Sequence, residues 1–237
     1  MRTWQEELLQ ITKPACSETE VFGRIESAAK SMGFDHCAYG LRVPWPLTNP
    51  KILLMNNYSL VWQKRYAEAG YLLIDPTVQH GRQSQAPLVW TEDVFAGSRQ
   101  LWEDARAHGL SVGWAQSSLD SNGVGGMLSL ARSHDVLTPE ELRAKENQMH
   151  WLVNIAHLTL SRFLIEKATQ SQSIGLTPRE VEVLKWTADG KSAQEIADIL
   201  NVTKHVIDFH IKNAIHKLQT ANKSAAVVKA AMLGLLN

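Results

Sequence analysis

Three stretches of this chain share one form: Thr138-Pro139-Glu140-Glu141, Thr177-Pro178-Arg179-Glu180 and Ser192-Ala193-Gln194-Glu195. In each, a hydroxyl residue stands three before a Glu. This is the capping-box signature, in which the hydroxyl accepts from the third backbone N–H and the Glu reaches back to the cap. Proline at the first helical position suits two of them, because the N–H it lacks has no helical partner there. Three helix starts are therefore fixed by local chemistry. The last two lie close together, with Gly190 between them, so the helix they enclose is short. The chain from Thr177 onward reads as short helices.

Before those helices the composition changes. Residues 167–175, Lys-Ala-Thr-Gln-Ser-Gln-Ser-Ile-Gly, are polar with no apolar period and read as a linker. They divide the 237 residues into a domain over 1–166 and a smaller one over 176–237. The whole chain is neutral, with 24 basic and 24 acidic side chains, but residues 174–237 carry eight basic against six acidic. The excess of positive charge thus falls on the short helices.

The first part mixes periods. Glu18 to Met32 reads as a helix on Val21, Ile25 and Ala28/Ala29, ended by Gly33. His36 to Val43 and Lys51 to Asn56 read as strands, with Pro44-Trp45-Pro46 stopping the first. Tyr58 to Ala69 reads as a helix closed by Gly70, which sets Tyr58, Trp62 and Tyr66 on one stripe. Leu88 to Trp90, Ser111 to Leu119 and Gly126 to Ala131 read as further strands, with Gly123, Gly125 and Gly126 as a hairpin turn. A long helix runs from Thr138 to about Glu166, rich in Leu142, Met149, Leu152, Ile155, Ala156 and Phe163. Helices flanking antiparallel strands make an α+β class.

In the second part, helices over Ser192–Leu200 and Thr203–Leu218 with a tight turn between them form a helix-turn-helix candidate. Ile207, Ile211, Ala214 and Leu218 make the buried stripe of the second. The opposite face offers His205, Asp208, Lys212 and His216, and Lys204, Lys217 and Lys223 suit phosphates. Asp208 and Phe209 fit a phosphate-binding face poorly, and a protein-binding helical bundle stays open on pattern alone. The segment from Leu176-Thr177-Pro178-Arg179-Glu180 through Leu184, Gly190-Lys191-Ser192, Glu195-Ile196-Ala197 and Phe209-His210-Ile211-Lys212-Asn213 resembles the C-terminal domain of LuxR-type transcription regulators. The resemblance implies a four-helix helix-turn-helix domain, with Ser192, Thr203, Lys204, His205, Asp208, Lys212 and Lys217 at the DNA. Val206-Ile207-Asp208 departs from that family's Thr-Val-Asn or Thr-Val-Lys, which puts phosphate contact and site preference in doubt.

The order Tyr58, Trp62, Tyr66, Asp75-Pro76, Trp90 and Gly113 resembles the N-acyl-homoserine-lactone receptors of the same family. An aromatic stripe is by itself as well explained by a core. The resemblance implies an α/β/α sandwich around a five-stranded antiparallel sheet. It gives Trp62 N–H to the lactone ring carbonyl, Asp75 to the amide N–H, and Tyr58 and Ser129 hydroxyls to the amide carbonyl. Tyr66, Val78, Trp90, Phe95, Trp102 and Leu110 would wall the ring and tail. Whether Trp114 limits pocket depth depends on which sheet face it takes, and strand alternation alone leaves that open. The implied partners are the lactone, a second copy as homodimer, double-stranded promoter DNA and RNA polymerase. A same-fold regulator sensing another ligand, or an anti-regulatory partner in mixed dimers, is the alternative; Asp208 keeps the latter open.

Other classes are less well supported. Cys37 follows His36 directly, and strand neighbours point to opposite faces, so they make no nucleophile–base pair. Gly123-Val124-Gly125-Gly126 lacks the Lys-Ser/Thr of a phosphate loop. The nine His residues show no metal-ligand spacing, and Asp104 with His108 reads as a surface pair on one helix. No catalytic residue, metal or cofactor is expected. Without an apolar run long enough for a membrane span, an N-terminal secretory signal or a cysteine framework, a reducing cytoplasmic setting is expected.

Overall fold

The computed structural model describes residues 3–43, 45–120, 123–168 and 175–236. Of the polar linker, residues 169–174 lie outside the described residues, as does the start of the hairpin turn at 121–122. The described chain divides into two compact units. The first holds 3–43, 52–120 and 125–168; the second holds 175–236 with 45–51 and 123–124.

The first unit is built on an antiparallel sheet of β1 (His36–Arg42), β2 (Ile52–Asn56), β3 (Leu88–Val89), β4 (Val112–Leu119) and β5 (Gly125–Arg132), in the order β2-β1-β5-β4-β3. Around it stand α1 (Trp4–Leu9), α2 (Glu18–Ser31), α3 (Leu60–Glu68), α4 (Pro76–Gln83), α5 (Arg99–Ala107) and α6 (Pro139–Ala168). Gly125 and Gly126, expected in the hairpin turn, belong to β5.

Register sorts the strand residues onto two faces. Tyr39 pairs with Leu128, Cys37 with Leu130, and Leu130 with Trp114, so these share one face. That face packs on α2 and α6, and Trp114 lies edge-on to His150 of α6 at 6.0 Å. Trp114 therefore turns away from the layer of α3, α4 and α5. The Tyr39 hydroxyl and His157 Nδ1 of α6 meet at 2.7 Å in this interface. The opposite face carries Ala38, Ser129 and Ala115 in one row, with Gly40 and Met127 in the next. Ala38, Gly40, Ala115 and Ser129 are small, so large side chains fit above that part of the face.

Of the three expected capping boxes, two close fully, at Thr177–Glu180 and Ser192–Glu195. At α6, Thr138 Oγ1 accepts from the Glu141 N–H at 3.2 Å, but the Glu141 carboxylate takes two bonds from Arg132 and one from Lys145 instead. A bidentate guanidinium outcompetes a neutral backbone donor. Further, α3 begins after its cap Ser59, so Tyr58 stands before the helix, not on it.

The second unit is helical: α7 (Pro178–Ala188), α8 (Ala193–Ile199), α9 (Lys204–Lys217) and α10 (Lys223–Met232). Val183, Ile196, Ala197 and Ile207 form one core cluster, and Leu184, Ala214, Leu218, Ala226 and Ala230 another. The stripe expected on α9 is thus the buried one, with Ile211 half-buried between. Between α8 and α9 the chain turns at Asn201, whose φ is 51°. Thr203 caps α9 by position, but its hydroxyl makes no cap bond.

Candidate ligand site and nucleic-acid interface

Above the small-residue face of the sheet lies an aromatic cluster. Trp62, Tyr71, Phe95, Leu101, Trp102, Ala105, Leu110 and Ala131 are buried in it, and Tyr58, Tyr66, Trp90 and Val94 pack against it. Trp62 meets Tyr66 at 5.7 Å and Tyr71 at 6.1 Å between ring centroids; Phe95 stacks on Trp102 at 4.6 Å. The sequence-derived wall residues Tyr66, Trp90, Phe95, Trp102 and Leu110 therefore assemble. Val78 is half-buried on α4, outside that cluster. Gly113 explains how Trp90 fits. A Cβ at Gly113 would fall on the Trp90 ring, whose backbone N–H donates to the Gly113 carbonyl at 2.8 Å.

Asp75 is placed by its neighbours. It caps α4, and its Oδ1 accepts from Thr77 N at 2.8 Å and Thr77 Oγ1 at 2.6 Å. The Tyr66 hydroxyl donates to Oδ2 at 2.8 Å. Burial and the adjacent carboxylate both raise the Tyr66 pKa, so it remains a donor. A carboxylate offers about four lone-pair directions, and these three bonds leave one, on Oδ2. Among the described residues the Trp62 indole, the Tyr58 hydroxyl and the Ser129 hydroxyl form no hydrogen bond. Burial raises the Tyr58 pKa, so it too is a neutral hydroxyl. The Trp90 and Trp102 indole N–H groups and His36 Nδ1 are buried without partners among the described residues. Burial lowers the His36 pKa, and its ring meets Tyr58 edge-on at 6.0 Å.

Sequence reasoning missed Thr77, 3% exposed, although Asp75-Pro76 is itself a cap followed by proline. It also missed the clasp beside the cluster. Asp104 accepts from the Tyr71 hydroxyl at 2.6 Å, Arg65 at 2.6 Å and Gln100 at 2.8 Å, tying α3 to α5. His108 bonds the Asp104 backbone carbonyl at 2.8 Å, so the expected Asp104–His108 side-chain pair does not form. The carboxylate is taken by three better-placed donors. Cys37 lies on the sheet face opposite His36, and burial pushes its thiol up to about 12.

In the second unit, α9 exposes Lys204, His205, Asp208, Phe209, Lys212 and His216 along the side opposite its buried stripe. One residue expected at phosphate, Lys217, is engaged within the helical unit. Lys217 Nζ donates to Glu180 at 2.7 and 3.0 Å and to the Gly175 carbonyl at 3.0 Å. Glu180 is 2% exposed and needs that cation. Burial pulls its pKa upward, but the bonds from Lys217 and Thr177 outweigh burial and the net shift is downward. Ser192 spends its hydroxyl on capping α8.

Comparison with known proteins agrees with this arrangement. The model of an autoinducer binding domain matches residues 17–160, and that of bacterial regulatory proteins of the luxR family matches residues 175–230. The transcriptional activator protein AnoR of Acinetobacter nosocomialis is 43% identical over 238 residues, covering 100% of each chain. The quorum-sensing regulator RhlR of Pseudomonas aeruginosa is 34% identical over 98% of this chain and 96% of its own. A solved structure of SdiA in complex with octanoyl-rac-glycerol has a TM-score of 0.86 at 32% identity, covering 100% of this chain and 99% of that one. The chain belongs to the LuxR family of quorum-sensing transcription regulators, which are not enzymes, and joins an autoinducer-binding domain to a helix-turn-helix DNA-binding domain.

Proposed function

We propose that the first unit binds an N-acyl-homoserine lactone and that the protein, as a homodimer, then binds palindromic promoter DNA to control transcription with RNA polymerase. The observation that carries the ligand reading is the set of polar tips around the aromatic cluster. Asp75 is held by Tyr66 and Thr77 with one acceptor direction left, and Trp62, Tyr58 and Ser129 keep their hydrogens unspent. A lactone offers the complement: a ring carbonyl for the Trp62 N–H, an amide N–H for Asp75, and an amide carbonyl for the Tyr58 and Ser129 hydroxyls. Indole only donates and a carboxylate only accepts, so the polarity is matched in one orientation. Trp90, Phe95, Trp102, Leu110, Tyr66 and Val78 would enclose ring and tail. Each buried CH₂ of the tail contributes about 0.8 kcal/mol, so tail length dominates affinity.

Ligand filling this layer stabilises the folded state by mass action. Dimerisation is assigned to α6, which exposes Trp151 and Leu158 although most of its apolar residues are buried. The DNA contacts are assigned to α9 through Lys204, His205, Asp208 and Lys212, with Thr203 at its start. The division between the two functions is placed at residues 167–175.

The test is thermal unfolding of the full chain with lactones of four to twelve acyl carbons. A large upward shift at a preferred length, lost in Trp62→Phe, supports the reading. A stable apo protein that no lactone shifts overturns it and favours a regulator sensing another ligand.

A further inference from the structure

The outer face of α9 carries two residues that phosphate binding does not explain. Asp208 is exposed, and Phe209 beside it is 57% exposed. Neither belongs to the core clusters built on Ile207, Ala214 and Leu218, so neither supports the core. Lys204, Asp208 and Lys212 follow at intervals of four on one line of the helix, with His205 and Phe209 on the next. Among the described residues no ion pair joins Asp208 to either lysine, so the acid is not neutralised within the helix. Among the described residues, the ring pair that Phe209 makes is with His210, edge-on at 5.6 Å.

On a face that meets a polyanion, a carboxylate repels the phosphates and a bare phenyl leaves apolar area in water. Both features gain a purpose when the face reaches base edges. The major groove presents two kinds of hydrogen-bond donor, cytosine N4 and adenine N6. Adenine sets its N7 acceptor beside the amino group, which repels a carboxylate; cytosine does not. The groove also presents one apolar group, the C5 methyl of thymine, which suits a phenyl edge.

Resting on the reading of α9 as the DNA-contacting helix, we propose that Asp208 and Phe209 are its base-reading residues. Asp208 accepts from the amino group of a cytosine, and Phe209 packs on the methyl of a neighbouring thymine. Lys204 and Lys212, four residues to either side of Asp208, offset its repulsion from the backbone. The Asp208 departure from the family's Asn or Lys is then a change of sequence preference, not a loss of DNA binding.

The experiment selects DNA from a pool of random duplexes with the full chain, in a mixture of saturated, 3-oxo and 3-hydroxy lactones of four to twelve carbons. Wild type and Asp208→Asn are compared, and the selected site is remade with deoxyuridine for thymine. The expected result is a C·G pair fixed at one half-site position by wild type, with that preference changed about tenfold in Asp208→Asn. Deoxyuridine should weaken wild type about fourfold at the contacted thymine and leave Phe209→Ala nearly unchanged. Identical preferences in wild type and Asp208→Asn, or an equal gain on every sequence, would overturn the role of Asp208. Indifference of wild type to deoxyuridine would overturn that of Phe209. If neither protein enriches any sequence while both remain folded by circular dichroism, the DNA-binding reading falls with this one.

Discussion

The Tyr66 hydroxyl donates to Asp75 Oδ2 at 2.8 Å while Thr77 occupies Oδ1, so the carboxylate is fixed from both ends. A hydrogen bond to a charged group contributes about 1.5–3 kcal/mol, enough to hold one rotamer. Tyr66→Phe frees Oδ2 to swing without removing the ring from the cluster. Lactone affinity is expected to fall about tenfold, and the apo protein to lose up to about 1.5–3 kcal/mol with the bond. Titration calorimetry checks the first, and urea denaturation the second.

Asp75 has two duties that substitution separates. Asp75→Asn keeps a side-chain oxygen for the Thr77 N–H, and so keeps the start of α4, but turns an amide donor toward the site. Asp75→Ala removes the cap as well, which costs about 0.5–2 kcal/mol. Both should weaken lactone binding, and only the alanine variant should lower apo stability clearly. Equal stability losses would mean that the cap is unimportant.

Gly113 is predicted to be intolerant of alanine, because the added Cβ would meet the Trp90 ring. Overpacking of this kind costs about 1–3 kcal/mol. Since the cost is met by moving Trp90, Gly113→Ala should also alter ligand preference, and a competition series over chain length would show it.

Lys217→Ala should destabilise the second unit by about 3–5 kcal/mol, because it strands the buried Glu180. Lys212→Ala on the exposed face should leave stability within about 0.5 kcal/mol and reduce the salt slope of DNA binding by about one. Thermal unfolding of both variants separates a structural lysine from a phosphate-contacting one.

Two carboxyl groups of the first unit contribute to its acid response. Bonds from Arg132 and Lys145 lower Glu141 to about 2, and bonds from Tyr71 and Arg65 lower Asp104 to about 2. Both folded values lie under the ordinary 4.5 and 3.8. Their contribution is therefore complete above the unfolded values and is lost as pH falls from about 4.5 toward 2. Urea midpoints at several pH values should drop over that window, and Glu141→Gln should drop less there while starting lower at neutral pH.

What the sequence disclosed was the chemistry that acts over a few residues. The caps at Thr177 and Ser192, the positive-φ glycines Gly33, Gly70 and Gly190, and the α9 stripe are all local signals, and each stands in the structure. Asp75-Pro76 is equally local, a capping side chain followed by proline, and it begins α4. The partners of Lys217, Glu141 and Asp104 were hidden from that local reading. Each side chain is claimed by a partner that only tertiary packing supplies: Glu180, Arg132 and Tyr71. The face taken by Trp114 was likewise settled by register, through its pairing with Leu130.

The most direct test of the central claim measures the affinity of wild type for one tight-binding acyl-homoserine lactone and for its N-methyl amide analogue. The methyl removes the hydrogen that Asp75 is proposed to accept and leaves ring and tail intact. The account predicts that wild type binds the parent at least about tenfold more tightly, and that Asp75→Asn shows little discrimination. Equal affinity of wild type for the two compounds, or no lactone bound at all, would contradict it.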